Sequence, residues 1–244
     1  MPNLTENLQI RPLSDSALVI QIGEGINEAT HIKVKSILNL LDNHPFSGFI
    51  EAVPAYNNVT VYYNPIDVYF SNLDKGVKTP YENVKMTILS LMNPTHNGET
   101  AKERLVKIPV AYGGDMGPDL EFVASYNGLT PSEVIKIHSS TQYLVYMLGF
   151  APGFPFMGGM DEKIATPRKE SPRLAIPPGS VGIAGSQTGI YPLETPGGWQ
   201  IIGRTPSRLF LPEQLPPTLL QPGDRIQFVP ISLDEYTRDW EMKT

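Results

Sequence analysis

Tyr143-Leu-Val-Tyr-Met-Leu-Gly-Phe-Ala-Pro-Gly-Phe-Pro-Phe-Met-Gly-Gly159 runs from an apolar strand candidate straight into a stretch crowded with proline and glycine. Between Gly149 and Pro206, 20 of 58 residues are Pro or Gly, against 25 of the remaining 186. A density of about one third without a period ordinarily marks disorder. This window also carries Phe150, Phe154, Phe156, Ile176, Val181, Ile183, Ile190, Tyr191, Trp199, Ile201 and Ile202. Disordered tracts lack such residues, because they cannot bury enough apolar surface to offset the entropy of ordering. The window therefore reads as packed, turn-rich structure with little room for helix.

Working outward, the strands that flank the window make the second half mostly β. Leu105–Val110, Tyr143–Leu148, Val181–Ala184, Trp199–Ile202 and Arg225–Val229 are strand candidates, the last preceded by the turn signal Gln221-Pro-Gly-Asp. Two helices are expected near its start, Asp119–Tyr126 and one opened by Thr130-Pro-Ser-Glu133, which combines a cap, a first-turn proline and a capping-box glutamate. A β-barrel fits this pattern. The first part reads as α+β: a strand at Leu18–Ile20, an amphipathic helix over Glu28–Asp42, strands at Phe49–Val53 and Val59–Tyr63, and a helix opened by Pro65. That order suits a split βαβ sandwich. Asn93–Glu103 holds one Ala and no other apolar residue, so the expected organisation is an α+β domain over residues 1–93, a linker over 94–103 and a β-barrel domain over 104–244.

Composition excludes several classes. There is no cysteine, hence no disulfide, thiol nucleophile or cysteine metal site, and the four histidines (31, 44, 96, 138) are scattered, so no metal is expected. A net charge of −6 argues against nucleic acid or an anionic membrane as partner. No apolar run approaches membrane-spanning length and residues 1–10 do not read as a signal peptide, so a cytoplasmic location is expected. There is no phosphate-loop or nucleophile-elbow motif.

What remains is polar chemistry inside the window. Thr166-Pro-Arg168 and Ser171-Pro-Arg173 place two guanidinium groups on stiff backbone, suited to bidentate binding of a carboxylate or phosphate. Ion pairing with Asp161, Glu162, Glu170 and Glu194 of the same window is the plainer alternative. Gln187 and Thr188 beside Gly189 offer an amide and a hydroxyl to a ligand, or simply form a hairpin. Gly197 and Gly198 could present backbone N–H groups to an anion with Trp199 or Tyr191 as a stacking wall; a tight turn beside core aromatics is the alternative. Phe150 and Phe154 could wall an apolar groove, or form a buried barrel corner. Arg204 is a further candidate ligand contact. His138, at a helix end beside apolar residues, is a candidate general acid or base, with a structural histidine as the alternative.

Read together, Pro54-Ala-Tyr-Asn-Asn-Val-Thr-Val61, Ile108-Pro-Val-Ala-Tyr-Gly-Gly114, Gly117-Pro-Asp-Leu120, His138-Ser-Ser140, Gly149-Phe-Ala-Pro-Gly-Phe-Pro155, Pro178-Gly-Ser-Val181, Ala184-Gly-Ser-Gln-Thr-Gly-Ile-Tyr-Pro192 and Thr195-Pro-Gly-Gly-Trp199 resemble one family. It comprises the 5-oxoprolinase B component, allophanate hydrolase subunit 1 and the kinase inhibitor KipI. The resemblance covers about residues 8 to 230. It implies a small α+β domain followed by a cyclophilin-like barrel. It also implies one component of a bacterial ATP-dependent 5-oxoprolinase, a lactam hydrolase that converts 5-oxo-L-proline to L-glutamate. The resemblance further implies that such a component works only with its partners, the A and C components. ATP enters by resemblance alone. With that role, Arg168 and Arg173 would bind anionic groups, His138 would be the acid or base, and the other residues above would line the ligand site. The alternative role is a binding module that inhibits a sporulation-type histidine kinase.

Overall fold

The computed structural model describes residues 8–25, 27–72, 78–92 and 104–241. The chain divides into two compact units, Met1–Lys102 and Glu103–Thr244. The expected linker over 94–103 lies outside the described residues.

In the first unit, β1 (Leu8–Ser14) and β2 (Ala17–Ile22) form a hairpin, followed by α1 (Glu28–Asn43), β3 (Phe49–Pro54), β4 (Asn58–Tyr63), α2 (Pro65–Phe70) and α3 (Pro80–Leu91). The sheet order is β1-β2-β4-β3, and every pairing is antiparallel. Because β4 runs against both β2 and β3, those two are mutually parallel with α1 crossing between them. This is the split βαβ arrangement expected from the sequence. Strand alternation sends Ile10, Leu18, Ile20, Ile22, Val59, Val61 and Tyr63 to one face, where Val34, Ile37, Leu40 and Leu41 of α1 and Val84 and Ile88 of α3 cover them. Asn27 caps α1 by accepting from the Thr30 N–H at 2.8 Å. The strand β1 and the helix α3 are additions to the elements expected from the sequence.

In the second unit, β5 (Leu105–Tyr112) is followed by α4 (Leu120–Tyr126), α5 (Pro131–Ser140), β6 (Gln142–Leu148) and β7 (Pro155–Gly158). Then come β8 (Arg173–Ile176), β9 (Ser180–Ala184), β10 (Gln187–Ile190), β11 (Thr195–Gly197), β12 (Gln200–Arg204), β13 (Arg225–Pro230) and α6 (Leu233–Glu241). Seven strands form one sheet in the order β10-β9-β12-β5-β13-β6-β7, parallel only where β13 meets β5. Its end strands β7 and β10 lie side by side, so the sheet is a nearly closed barrel, in line with the expected β-barrel. Ile108, Val110, Tyr143, Val145, Val181, Ile183, Ile190, Ile202, Ile226 and Phe228 fill it, with Val123 of α4 and Val134 of α5 packed in from the helices. The expected capping box is present: the Thr130 hydroxyl accepts from the Glu133 N–H, and Glu133 accepts from the Thr130 N–H at 2.8 Å. A third helix, α6, joins the two expected ones and lies against β5. The antiparallel pair β8–β11 forms a separate small ladder from residues of the Pro/Gly window.

Candidate active site

The Pro/Gly window builds an aromatic cluster of its own. Phe154 is its hub, meeting Phe150, Phe156, Tyr191 and Trp199 edge-to-face with centroids 5.2–5.7 Å apart. Ile176, Ala184 and Ile201 complete this second core. Its density explains two of the glycines: a Cβ at Gly189 would lie 2.9 Å from the Phe154 ring, and one at Gly197 would lie 2.5 Å from the Tyr191 hydroxyl. Phe154, Tyr191 and Trp199 are thus buried, while Phe150 stands 67% exposed. Phe150 has φ +67°, and the Ala151 N–H donates to the Gly149 carbonyl at 2.8 Å, which makes a γ-turn centred on a bulky residue.

The two arginines have different surroundings. Arg173 is paired, but with an acid from outside the window. Its guanidinium donates to Asp119 Oδ1 at 2.8 Å, and its second terminal nitrogen lies 2.8 Å from Oδ2. Lys169 Nζ reaches Oδ1 at 3.3 Å and the Ile201 N–H donates to Oδ2 at 2.6 Å. Burial raises the Asp119 pKa, but the Arg173 and Ile201 hydrogen bonds and the nearby positive charges outweigh it and hold the carboxyl below its ordinary 3.8. Arg168 is exposed, its guanidinium lies 6.0 Å from the Trp199 ring centroid, and no carboxylate pairs with it among the described residues. Tyr191 sits close enough to Arg168 and Arg173 to feel both charges; burial nevertheless pushes its phenol up to about 12.

His138 lies inside the barrel. It is fully buried and stacks on Phe228 at 4.4 Å between centroids. The Thr188 hydroxyl donates to the Gly182 carbonyl at 3.0 Å, so it accepts from His138 Nε2–H at 2.9 Å, and Nδ1 accepts from the Tyr112 hydroxyl at 2.8 Å. The carbonyl can only accept, which fixes the direction of the whole chain of bonds and the tautomer. Burial pushes the imidazole pKa down to about 3. Both ring nitrogens are engaged and neither meets solvent, so the placement is that of a core histidine; Thr188, equally buried, is its partner.

The other candidates divide. Gln187 is half-buried at the start of β10 and pairs with Ala184 across the hairpin, whose turn is Gly185-Ser186. Gly197 and Gly198 lie beside Trp199, and the Gly198 carbonyl accepts from the Lys169 N–H at 2.7 Å. Arg204 is directed elsewhere: it donates to the Pro178 carbonyl at 2.8 Å and lies 5.4 Å from the Trp240 ring of α6. Asp119 and Lys169 join the site as well; Asp119 falls in the Gly117–Leu120 string, but its residue types alone assign it no role.

The chain, a split βαβ unit followed by a nearly closed barrel, matches the family described as carboxyltransferase domain, subdomain C and D, over residues 8–220. The chain is 51% identical to the 5-oxoprolinase B component of Bacillus subtilis (strain 168), across 96% of this chain and 97% of that protein. It is 39% identical to the 5-oxoprolinase B component of Escherichia coli O157:H7, across 89% and 94%. The solved structure of TTHA0988 superposes with a TM-score of 0.76 at 33% identity, covering 92% of this chain; this chain spans 40% of that one. The chain belongs to the family of 5-oxoprolinase B components. Among the described residues no helix is long and apolar enough to cross a membrane.

Proposed function

We propose that this chain is the B component of a cytoplasmic, ATP-dependent 5-oxoprolinase, and that its Pro/Gly window forms one wall of the site that holds 5-oxo-L-proline. The observation that carries this reading is Arg168: a guanidinium set over the Trp199 ring, exposed, with no acidic partner among the described residues. A carboxylate is what such a fork binds best, and 5-oxoproline carries one. Phe150 and the Gly197-Gly198 backbone border the same aromatic cluster and would meet the ligand beside it. Arg173, already paired, supports this wall rather than meeting substrate; His138 and Thr188 hold the barrel behind it.

Opening an unstrained lactam requires an activated carbonyl, and phosphoryl transfer from ATP supplies that activation. Water then completes the conversion to glutamate, with ADP and phosphate released. The sequence has no phosphate-loop motif, so ATP is assigned to the complete assembly, in which the partner A and C components supply the groups this chain lacks. The kinase-inhibitor alternative rests on sequence resemblance alone.

The test mixes purified chain with the A and C components, ATP and 5-oxoproline, and measures glutamate. Glutamate is expected from the complete set and not from this chain alone; none from the complete set overturns the reading. In the active set, Arg168→Ala is expected to raise KM for 5-oxoproline about tenfold or more, since hydrogen bonds to charged groups contribute about 1.5–3 kcal/mol.

A further inference from the structure

We infer that Asp119 is the positioning residue of this site: it anchors the loop of residues 167–173, and so sets where Arg168 stands over Trp199. The inference rests on the reading of Arg168 given above. The loop holds three cations within six residues, Arg168, Lys169 and Arg173. Two of them converge on Asp119 and one does not. The division of labour among the cations therefore follows from a single carboxylate.

Asp119 is itself fixed to the barrel. Its N–H donates to the Ile201 carbonyl at 2.9 Å, and its Oδ2 accepts from the Ile201 N–H at 2.6 Å. Two residues earlier, a Cβ on Gly117 would lie 2.0 Å from the Ile202 carbonyl oxygen, so only glycine lets the chain pass this close to β12. Asp119 precedes α4 but makes no side-chain cap to that helix; the carboxylate is turned to the loop instead. A buried carboxylate is costly unless paired, and here the pairing is satisfied only with the loop in this position.

The near end of the loop is held by backbone. Thr166 and Gly185 exchange hydrogen bonds, Gln200 Nε2 donates to the Pro167 carbonyl at 2.9 Å, and the Lys169 N–H donates to the Gly198 carbonyl. Arg168 is thus flanked by fixed neighbours. Its guanidinium is pre-placed for an anion, which lowers the ordering entropy that binding must overcome. Without the Asp119 charge, Lys169 and Arg173 lose their shared partner and three like charges repel across one short loop.

Asp119→Asn tests this in the complete enzyme, because the amide oxygen still accepts from the Ile201 N–H while the charge is gone. The expected result is a KM for 5-oxoproline raised about tenfold with kcat within about threefold of the parent. Emission of Trp199, read in a Trp240→Phe background, is expected to shift in Asp119→Asn, and to shift also in Arg168→Ala. The double variant Lys169→Gln, Arg173→Gln removes the same link from the loop side and is expected to reproduce the KM rise; it carries the test if Asp119→Asn does not fold. An unchanged KM and unchanged Trp199 emission, with only a lower melting temperature, overturns the inference. If the parental complex makes no glutamate, the functional reading fails by itself, and the emission shift alone decides on Asp119: a shift supports the anchor and its absence overturns it.

Discussion

The plainest residue-scale consequence concerns His138. Its folded pKa, about 3, lies below the ordinary 6.5, so between those values the unfolded chain binds a proton that the folded one does not. Stability therefore rises with pH across that window and falls on acidification, by up to about 1.4 kcal/mol per pH unit from this group. Denaturant titrations at pH 7 and pH 5 are expected to show the loss, and His138→Gln is expected to reduce it; an equal loss in the variant would place the slope elsewhere. Asp119 acts in the same sense at lower pH, contributing stability above its unfolded value and losing it as pH falls through its depressed folded value. A second prediction belongs to Gly189, whose missing side chain leaves room for Phe154 and Trp199. Four edge-to-face contacts pin Phe154, so Gly189→Ala is expected to cost about 1–3 kcal/mol as an overpacking change, read from the denaturation midpoint. At this scale the sequence shows residue types but not pairings. The acids expected to neutralise Arg173 lie near it in sequence, whereas Asp119 is 54 positions away. An aspartate before a short helix normally reads as a cap, and nothing local shows that this one turns aside.

Among elements, what is legible follows from periodicity and caps. The strands β2, β4, β6 and β13 carry alternation or apolar runs long enough to be recognised, and α5 announces itself through Thr130-Pro-Ser-Glu133. The same Thr-Pro-x-Glu pattern occurs at Thr79–Glu82 and opens α3 with a complete capping box, so that helix is readable by the same rule. The strands β7, β8 and β11, three or four residues each and most of them interrupted by proline or glycine, are too short to show a period. Their existence depends on partners brought up by the fold. The helix α6 is strongly polar and is defined by Tyr236 and Trp240, one turn apart, with Arg204 of β12 against the Trp240 ring. The cap of α5 supports a direct prediction. Thr130→Ala removes the hydroxyl that accepts from the Glu133 N–H and donates to the Glu133 carboxylate, at a cost of about 1 kcal/mol in urea denaturation. A cost near zero would mean that burial of Val134 and His138 alone holds the helix start.

At the scale of the molecule, each unit has a core of its own among the described residues. One buried cluster is drawn wholly from residues 10–92, and the other two wholly from residues 108–228. Cooperative unfolding needs apolar contacts that are lost together, and none of these clusters draws residues from both units. The two tryptophans, Trp199 and Trp240, both belong to the second unit, whereas helices and strands are spread over both. Tryptophan emission therefore reports the barrel unit, and far-ultraviolet circular dichroism reports the sum. With urea as denaturant, the two signals are expected to give transitions that do not coincide. Superimposable curves would instead require the units to unfold as one. The aromatic cluster and Asp119 both belong to the barrel unit, so Gly189→Ala and Asp119→Asn are expected to shift the emission transition. The part of the dichroism change that comes from the first unit should stay where it is; a matching shift in that part would show that the cores are coupled.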